Sequence, residues 1–168
     1  MATDLERIAK LWDMIGDIKV AMLTTWDGER MRSRPMHTLQ QQPGEDLWFF
    51  TRLDSAKTDD ARHYDKVNLA YADPQEKMFV SISGRAVVER DREAIDRFWS
   101  PMAAAWFPRG REDPQLAMLR VIPDSAEYWD VTDSTMRYLW EVGRANITGR
   151  EPDLGEVAHV DIAGRTGS

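Results

Sequence analysis

The chain has 168 residues, 22 basic and 29 acidic side chains, a formal charge of −7 and no cysteine. Without thiols there are no disulfides, thiolate metal sites or cysteine nucleophiles. The acidic balance disfavours non-specific nucleic-acid binding, which rests on neutralising phosphates. A single anion can still be held by a local cluster of cations, so the position of such a cluster is the informative question. No stretch is apolar and long enough to span a bilayer. The opening Met1-Ala2-Thr3-Asp4-Leu5-Glu6 mixes in acids and has no signal-peptide core. A cytoplasmic, single-domain protein with no membrane or nucleic-acid partner is therefore expected.

Thr3-x-x-Glu6 reads as a capping box. Leu5, Ile8, Trp12 and Ile15 follow at helical spacing, which predicts an amphipathic helix from Asp4 to Ile15, ended by Gly16. Ile18 to Thr25 reads as a strand, Asp27-Gly28 as a hairpin turn, and Arg30 to Leu39 as the returning strand. Pro43-Gly44 marks a further turn. Leu47-Trp48-Phe49-Phe50-Thr51 is a short apolar strand expected to be buried on both faces. Ser55 to Tyr64 has helical composition, with Asp59-Asp60 as a solvated face. Val67 to Ala72 reads as a strand, and Met78 to Glu89 as a long strand or a bent pair. Gly84 inside it suggests a bulge or close backbone approach. Asp91 to Trp99 and Met102 to Trp106 read as helices separated by Pro101. Leu116 to Ile122, Ala126 to Asp130 and Met136 to Val142 read as three more strands. Residues 149–168, rich in Gly, Asp and Glu, read as a mobile or loosely packed tail, which leaves 1–148 as the domain. Sequential strands joined by short turns favour an antiparallel sheet with helices at its ends. Neither a G-x-G-x-x-G nor a Walker loop is present.

Three patterns carry candidate chemistry. Arg32, Arg34 and Met36 share a face of the second strand by period two, and Pro35 puts that strand at an edge or bulge. The apolar strand ends in Phe49-Phe50-Thr51. Asp54-Ser55-Ala56-Lys57 opens a helix, where a hydroxyl and an ammonium suit an anion. Arg34 on a neighbouring strand would grip the same phosphate. Between them, the aromatic strand would wall a flat ring. Singly each pattern is ordinary, since strand arginines are usually solvated and phenylalanines usually core. His37, His63 and His159 are too scattered for a metal site. His37 falls in the candidate pocket, where a structural histidine is the commoner reading and a general base the rarer. The seven tryptophans read as core and interface, with Trp106 the best candidate for stacking on a ring.

The ordered set Leu23-Thr24-Thr25-x-Asp27-Gly28, Arg34-Pro35-Met36, Leu47-Trp48-Phe49-Phe50-Thr51, Ser55-x-Lys57 and Val67-x-Leu69-Ala70-Tyr71 resembles the pyridoxamine 5′-phosphate oxidase-like superfamily of FMN-binding split barrels. The later segments, Phe79 to Ala86, Phe98-Trp99-x-Pro101, Trp106-Phe107-Pro108 and Glu127-Tyr128-Trp129-Asp130, resemble its general stress protein 26 branch. The resemblance covers about residues 5 to 145. It implies a mainly β (α+β) fold, a six-stranded antiparallel split β-barrel with flanking helices. It also implies a homodimer with two flavin sites at the interface. Carried over by position, Arg34 and Lys57 would hold the FMN phosphate with help from Ser55. Met36, His37, Phe50 and Thr51 would border the ribityl chain and isoalloxazine. Phe79 would approach from the next strand, and Trp106 and Trp129 would pack on the ring from the partner subunit. Three features depart from the pattern of the true oxidases: Ala56 where many members carry a second cation, Leu39 where the oxidases carry a lysine, and no C-terminal Arg and His set for pyridoxal phosphate.

Those departures argue against vitamin B6 oxidation and leave flavin binding, by FMN or alternatively FAD, in place. Three functions stay open: a flavin-dependent oxidoreductase, a non-catalytic flavin-binding or sensing stress protein, and a structural dimer that has lost the cofactor. The first needs no side-chain acid or base, because the cofactor carries the chemistry.

Overall fold

A computed structural model of the protein describes residues 3–40, 46–130 and 156–161. Helix α1 (Asp4–Ile18) opens with the expected capping box, in which the Thr3 hydroxyl accepts from Glu6 N and the Glu6 carboxylate accepts from Thr3 N. It runs through Gly16 rather than stopping there. The Lys19 amide closes its last turn by donating to Ile15 O, and Lys19 itself takes φ 66°. The extra turn brings Ile18 against the core behind Leu11, Met14 and Ile15.

Among the described residues, seven strands make one antiparallel sheet. They are β1 (Val20–Trp26), β2 (Met31–His37), β3 (Leu47–Arg52), β4 (Lys66–Asp73), β5 (Met78–Glu89), β6 (Leu116–Asp130) and β7 (Glu156–Asp161). Their order is β2-β1-β4-β5-β6-β3, with β7 paired to the far half of β6. Between them lie α2 (Ala56–His63), α3 (Arg92–Phe98) and α4 (Pro101–Trp106). The two ends of this order approach each other. Leu39, just beyond β2, donates to Trp48 O of β3 at 3.0 Å, and Trp48 N donates to the Gln40 side chain at 2.9 Å. The sheet therefore curls into a barrel that is split rather than fully laddered. No helix among the described residues is long and apolar enough to cross a membrane.

Two corrections concern strands. The pair read from Leu116 and Ala126 is one continuous β6. Its register against β5 shifts where Ser83 faces Ser125 and Gly84 faces Pro123, which leaves Asp124 as the extra residue of a bulge. A bulge accommodates Pro123, which has no amide to donate. The segment read as a tail contributes β7, a seventh strand, because β6 extends far enough to offer it an edge. The strand expected at Met136 to Val142 lies outside the described residues.

The barrel interior holds Leu23, Leu69, Tyr71, Val80, Ile82 and Tyr128, closed at one side by α1. A second core gathers Ile95, Phe107, Leu116 and Met118 beneath α3 and α4. Strand β3 serves both, as its apolar run predicts: Leu47 and Phe49 face the barrel while Trp48 and Phe50 face the second core. Gly28 (φ 98°) makes the β1–β2 turn, where Asp27 Oδ1 accepts from the amides of Glu29 and Arg30.

The bulge constrains Gly84. A Cβ there would sit 2.3 Å from Ile122 O. Gly84→Ala is expected to lower the unfolding free energy by about 3 kcal/mol, because backbone cannot yield as a side chain would. Gly16 lies in α1 with nothing within 4 Å of an added Cβ, so Gly16→Ala is expected to raise it by about 0.5–1 kcal/mol. Urea unfolding of both variants at one protein concentration checks the pair.

Candidate flavin-phosphate site

Where β2, β3 and α4 meet, they enclose a cavity of about 470 Å³, within the usual range for a small-molecule site. Its walls come from Pro35, Met36 and His37 of β2, from Phe50, Thr51 and Arg52 of β3, and from Lys57 of α2. Val20, Leu39, Met102, Ala103, Trp106 and Phe107 complete it. Most of this lining is apolar. Phe50 is held in place by Trp99 in an edge-on contact at 6.1 Å and by Phe107 at 6.2 Å.

The polar end is cationic. Lys57 sits half-buried in the first turn of α2. Burial, and next the Arg34 guanidinium nearby, hold its ammonium below the usual lysine value of 10.5, while Asp54 pulls the other way. Asp54 is itself bound to the Arg52 guanidinium at 3.0 and 3.3 Å. Two cations brought close enough to repel one another, at the end of an apolar cavity, make a place where an anion is stabilised.

Arg34 is anchored from behind. Its Nη1 donates to Thr25 Oγ1 at 2.6 Å and its Nη2 to Asp60 Oδ2 at 3.5 Å. Thr25 donates to the same Asp60 oxygen at 2.9 Å. Arg32 pairs with Asp60 at 3.3 Å and with Asp27 at 3.3 Å. Asp60 thus departs from the expected solvated face: it is 8% exposed and faces β1 and β2. The short α2 has no strong amphipathic pattern, so its sequence does not show which side meets the sheet.

The structure brings Met36, His37, Phe50, Thr51, Lys57 and Trp106 to one cavity, while Arg34 lies outside the lining but within electrostatic reach of Lys57. Trp106 lines the cavity of its own chain. Ser55 caps α2 in position but turns its hydroxyl inward, donating to Arg52 O at 2.9 Å and sharing a contact with Thr58. Phe79 and Trp129 face one another across β5 and β6, outside the cavity lining. Sequence reading missed Val20, Arg52, Met102, Ala103 and Phe107 as lining. Only the Pro101-capped helix after Trp99 hinted that a wall lay there.

The family model described as pyridoxamine 5′-phosphate oxidase like matches residues 6–153. The chain belongs to that family. Among similar proteins, protein bli-3 of Neurospora crassa is 26% identical over 92% of this chain and 79% of its own length. General stress protein 26 of Bacillus subtilis is 23% identical over 75% of this chain and 90% of its own. The crystal structure of a general stress FMN/FAD binding protein from Xanthomonas citri matches with a TM-score of 0.68 at 30% identity, covering 88% of this chain and 96% of that one.

Trp106 is 75% exposed at the cavity rim, whereas Phe107 beside it is 4% exposed. Trp106→Ala is expected to change the unfolding free energy by less than about 0.5 kcal/mol. Phe107→Ala should cost about 3–5 kcal/mol by opening the second core. Urea unfolding of the two variants, at matched protein concentration, separates a rim residue from a core residue.

Proposed function

We propose that this protein is a flavin-binding general stress protein of the split-barrel type, holding FMN in the cavity between β2, β3 and α4. The observation that carries the reading is the juxtaposition of Lys57 and Arg34 at the polar end of an apolar, aromatic-walled cavity. A phosphate at that end relieves the repulsion between the two cations. Met36, Leu39, Phe50 and Phe107 offer apolar surface to a flat ring. The similarity to an FMN/FAD binding protein at 30% identity supports the same assignment. FMN fits better than FAD, which brings a second phosphate. The other arginines at hand are already paired, Arg32 with Asp27 and Asp60 and Arg52 with Asp54.

Bound flavin would supply hydride or electron transfer. The chain's own part is to grip the phosphate through Lys57 and Arg34 and to exclude water from the ring with the apolar wall. Binding without turnover is the second reading. It is favoured by the clustering of the charged groups at the phosphate end, away from the apolar wall, and by Leu39 lining the cavity where the oxidases carry a lysine.

The working unit is a homodimer on this proposal. Val20, Met22 and Trp26 project from one face of β1 and Met31 from β2, all large, apolar and exposed. Val20 and Pro35 also line the cavity, so the apolar patch runs up to the cavity mouth. A second copy seated there would bury the patch and wall the site.

Purified protein is expected to be yellow or to quench FMN fluorescence on titration. A colourless protein that leaves FMN fluorescence unchanged overturns the reading. Lys57→Ala should weaken FMN binding about tenfold or more, which is about 1.4 kcal/mol. The phosphate favours protonated Lys57, so the complex holds more protons than the free protein. FMN affinity is therefore full below the lowered lysine pKa and falls as pH rises through the alkaline range. It should stay flat there in Lys57→Arg, whose charge is not lost. Met22→Glu is expected to convert the dimer to a monomer in sedimentation and to weaken FMN binding with it.

A further inference from the structure

Asp60 is a buried carboxylate outside the cavity lining, and three side chains, Thr25, Arg32 and Arg34, converge on one of its oxygens. We propose that Asp60, acting through Thr25, is the positioning residue that pre-organises Arg34 for a phosphate monoester. This rests on the flavin reading and assigns the part of the chain that makes its phosphate end specific.

The hydrogen-bond directions carry the argument. Thr25 has one hydroxyl proton. An ionised carboxylate only accepts, so the Thr25 proton points to Asp60 Oδ2 at 2.9 Å. That leaves a Thr25 lone pair to accept from Arg34 Nη1 at 2.6 Å. Arg34 Nη2 reaches Asp60 directly at 3.5 Å. One edge of the guanidinium is thereby fixed against β1 and α2, within electrostatic reach of Lys57. The same carboxylate takes Arg32 at 3.3 Å, with Asp27 as that arginine's second partner. Asp60 thus withdraws Arg32 from the anion and holds Arg34 ready for it. An arginine fixed before binding loses less rotamer freedom when the phosphate arrives. Thr25 is 1% exposed and Asp60 8% exposed, so water competes little for these bonds.

Asp60→Asn places an amide that can donate toward Arg34 and no longer fixes the Thr25 proton. Thr25→Val removes the relay alone and nearly keeps the side-chain shape. Each variant, and the unaltered protein, is titrated with FMN and with riboflavin, which lacks the phosphate. Circular dichroism records the fold. Both variants should lose FMN affinity about tenfold while riboflavin affinity stays within about twofold. In an Arg34→Ala background, Asp60→Asn should change FMN affinity by less than about twofold, because the group it positions is gone. Unchanged FMN affinity in both variants overturns the proposal. So does an equal loss for FMN and riboflavin, which would mark a general packing role. If the unaltered protein does not bind FMN, the flavin reading itself fails, and that outcome is distinct from either of these.

Discussion

The close approach of Gly84 to the Ile122 carbonyl sets the shape on which the site depends. A long pair of antiparallel strands twists, but it does not by itself curl enough for its outermost neighbours to meet. The extra residue in β6 at Asp124, opposite Ser83 and Gly84, supplies the bend. The bend is tight enough that only a residue without Cβ fits at position 84. Past it, β6 carries β3 round on one side while β5, β4 and β1 carry β2 round on the other. Leu39 and Trp48 then meet, and the cavity lies beside that meeting point. Pocket geometry is in this sense a consequence of strand curvature and not of the pocket residues themselves.

A protein with net charge −7 has to concentrate its cations locally if it is to hold a phosphate. The chain does so by pairing most arginines with nearby carboxylates. Arg52 takes Asp54, and Arg32 takes Asp27 and Asp60. Arg34 shares Asp60 more distantly, and no ion pair of Lys57 is present among the described residues. The unequal pairing concentrates unbalanced positive charge at one end of an apolar cavity. Burial raises the strength of that charge toward an anion.

Features written in local residue patterns were legible from the sequence. The Thr3 capping box, the Asp27-Gly28 turn and the two-faced strand at Leu47 each depend on a few adjacent residues, and each is present in the fold. Arg34 and Lys57 could be suggested as a pair from the strand and helix-start patterns, but 22 residues and a whole strand separate them, so only the ordered family pattern singled them out from ordinary surface charges. Features set by distant partners were not legible. Asp60 reads as a solvated helix acid until β1 and β2 are seen lying against it. The continuity of β6 through Pro123 is hidden, because a proline argues for a break unless a bulge is known to excuse its missing amide. The wall made by α4 is hidden for the same reason: Met102 and Trp106 face a cavity whose other side comes from residues more than forty positions away.

The division of labour within the cavity follows from where its polar atoms lie. Charge sits at the Lys57 end, while Leu39, Phe50, Met102, Ala103 and Phe107 present hydrocarbon and aromatic surface. His37, exposed on β2, also lines the cavity. On the proposed reading, a site built this way commits its electrostatics to a phosphate and leaves the wall apolar. Affinity and chemistry are then controlled by different residues, and the first can be kept while the second is altered or lost. Replacement of an oxidase lysine by Leu39 removes a charge from the wall without touching the Arg34, Thr25 and Asp60 chain behind the phosphate end. On the proposed reading, a flavin held this way is retained whether or not it is turned over, and the residues that would decide between the two are those of the apolar wall.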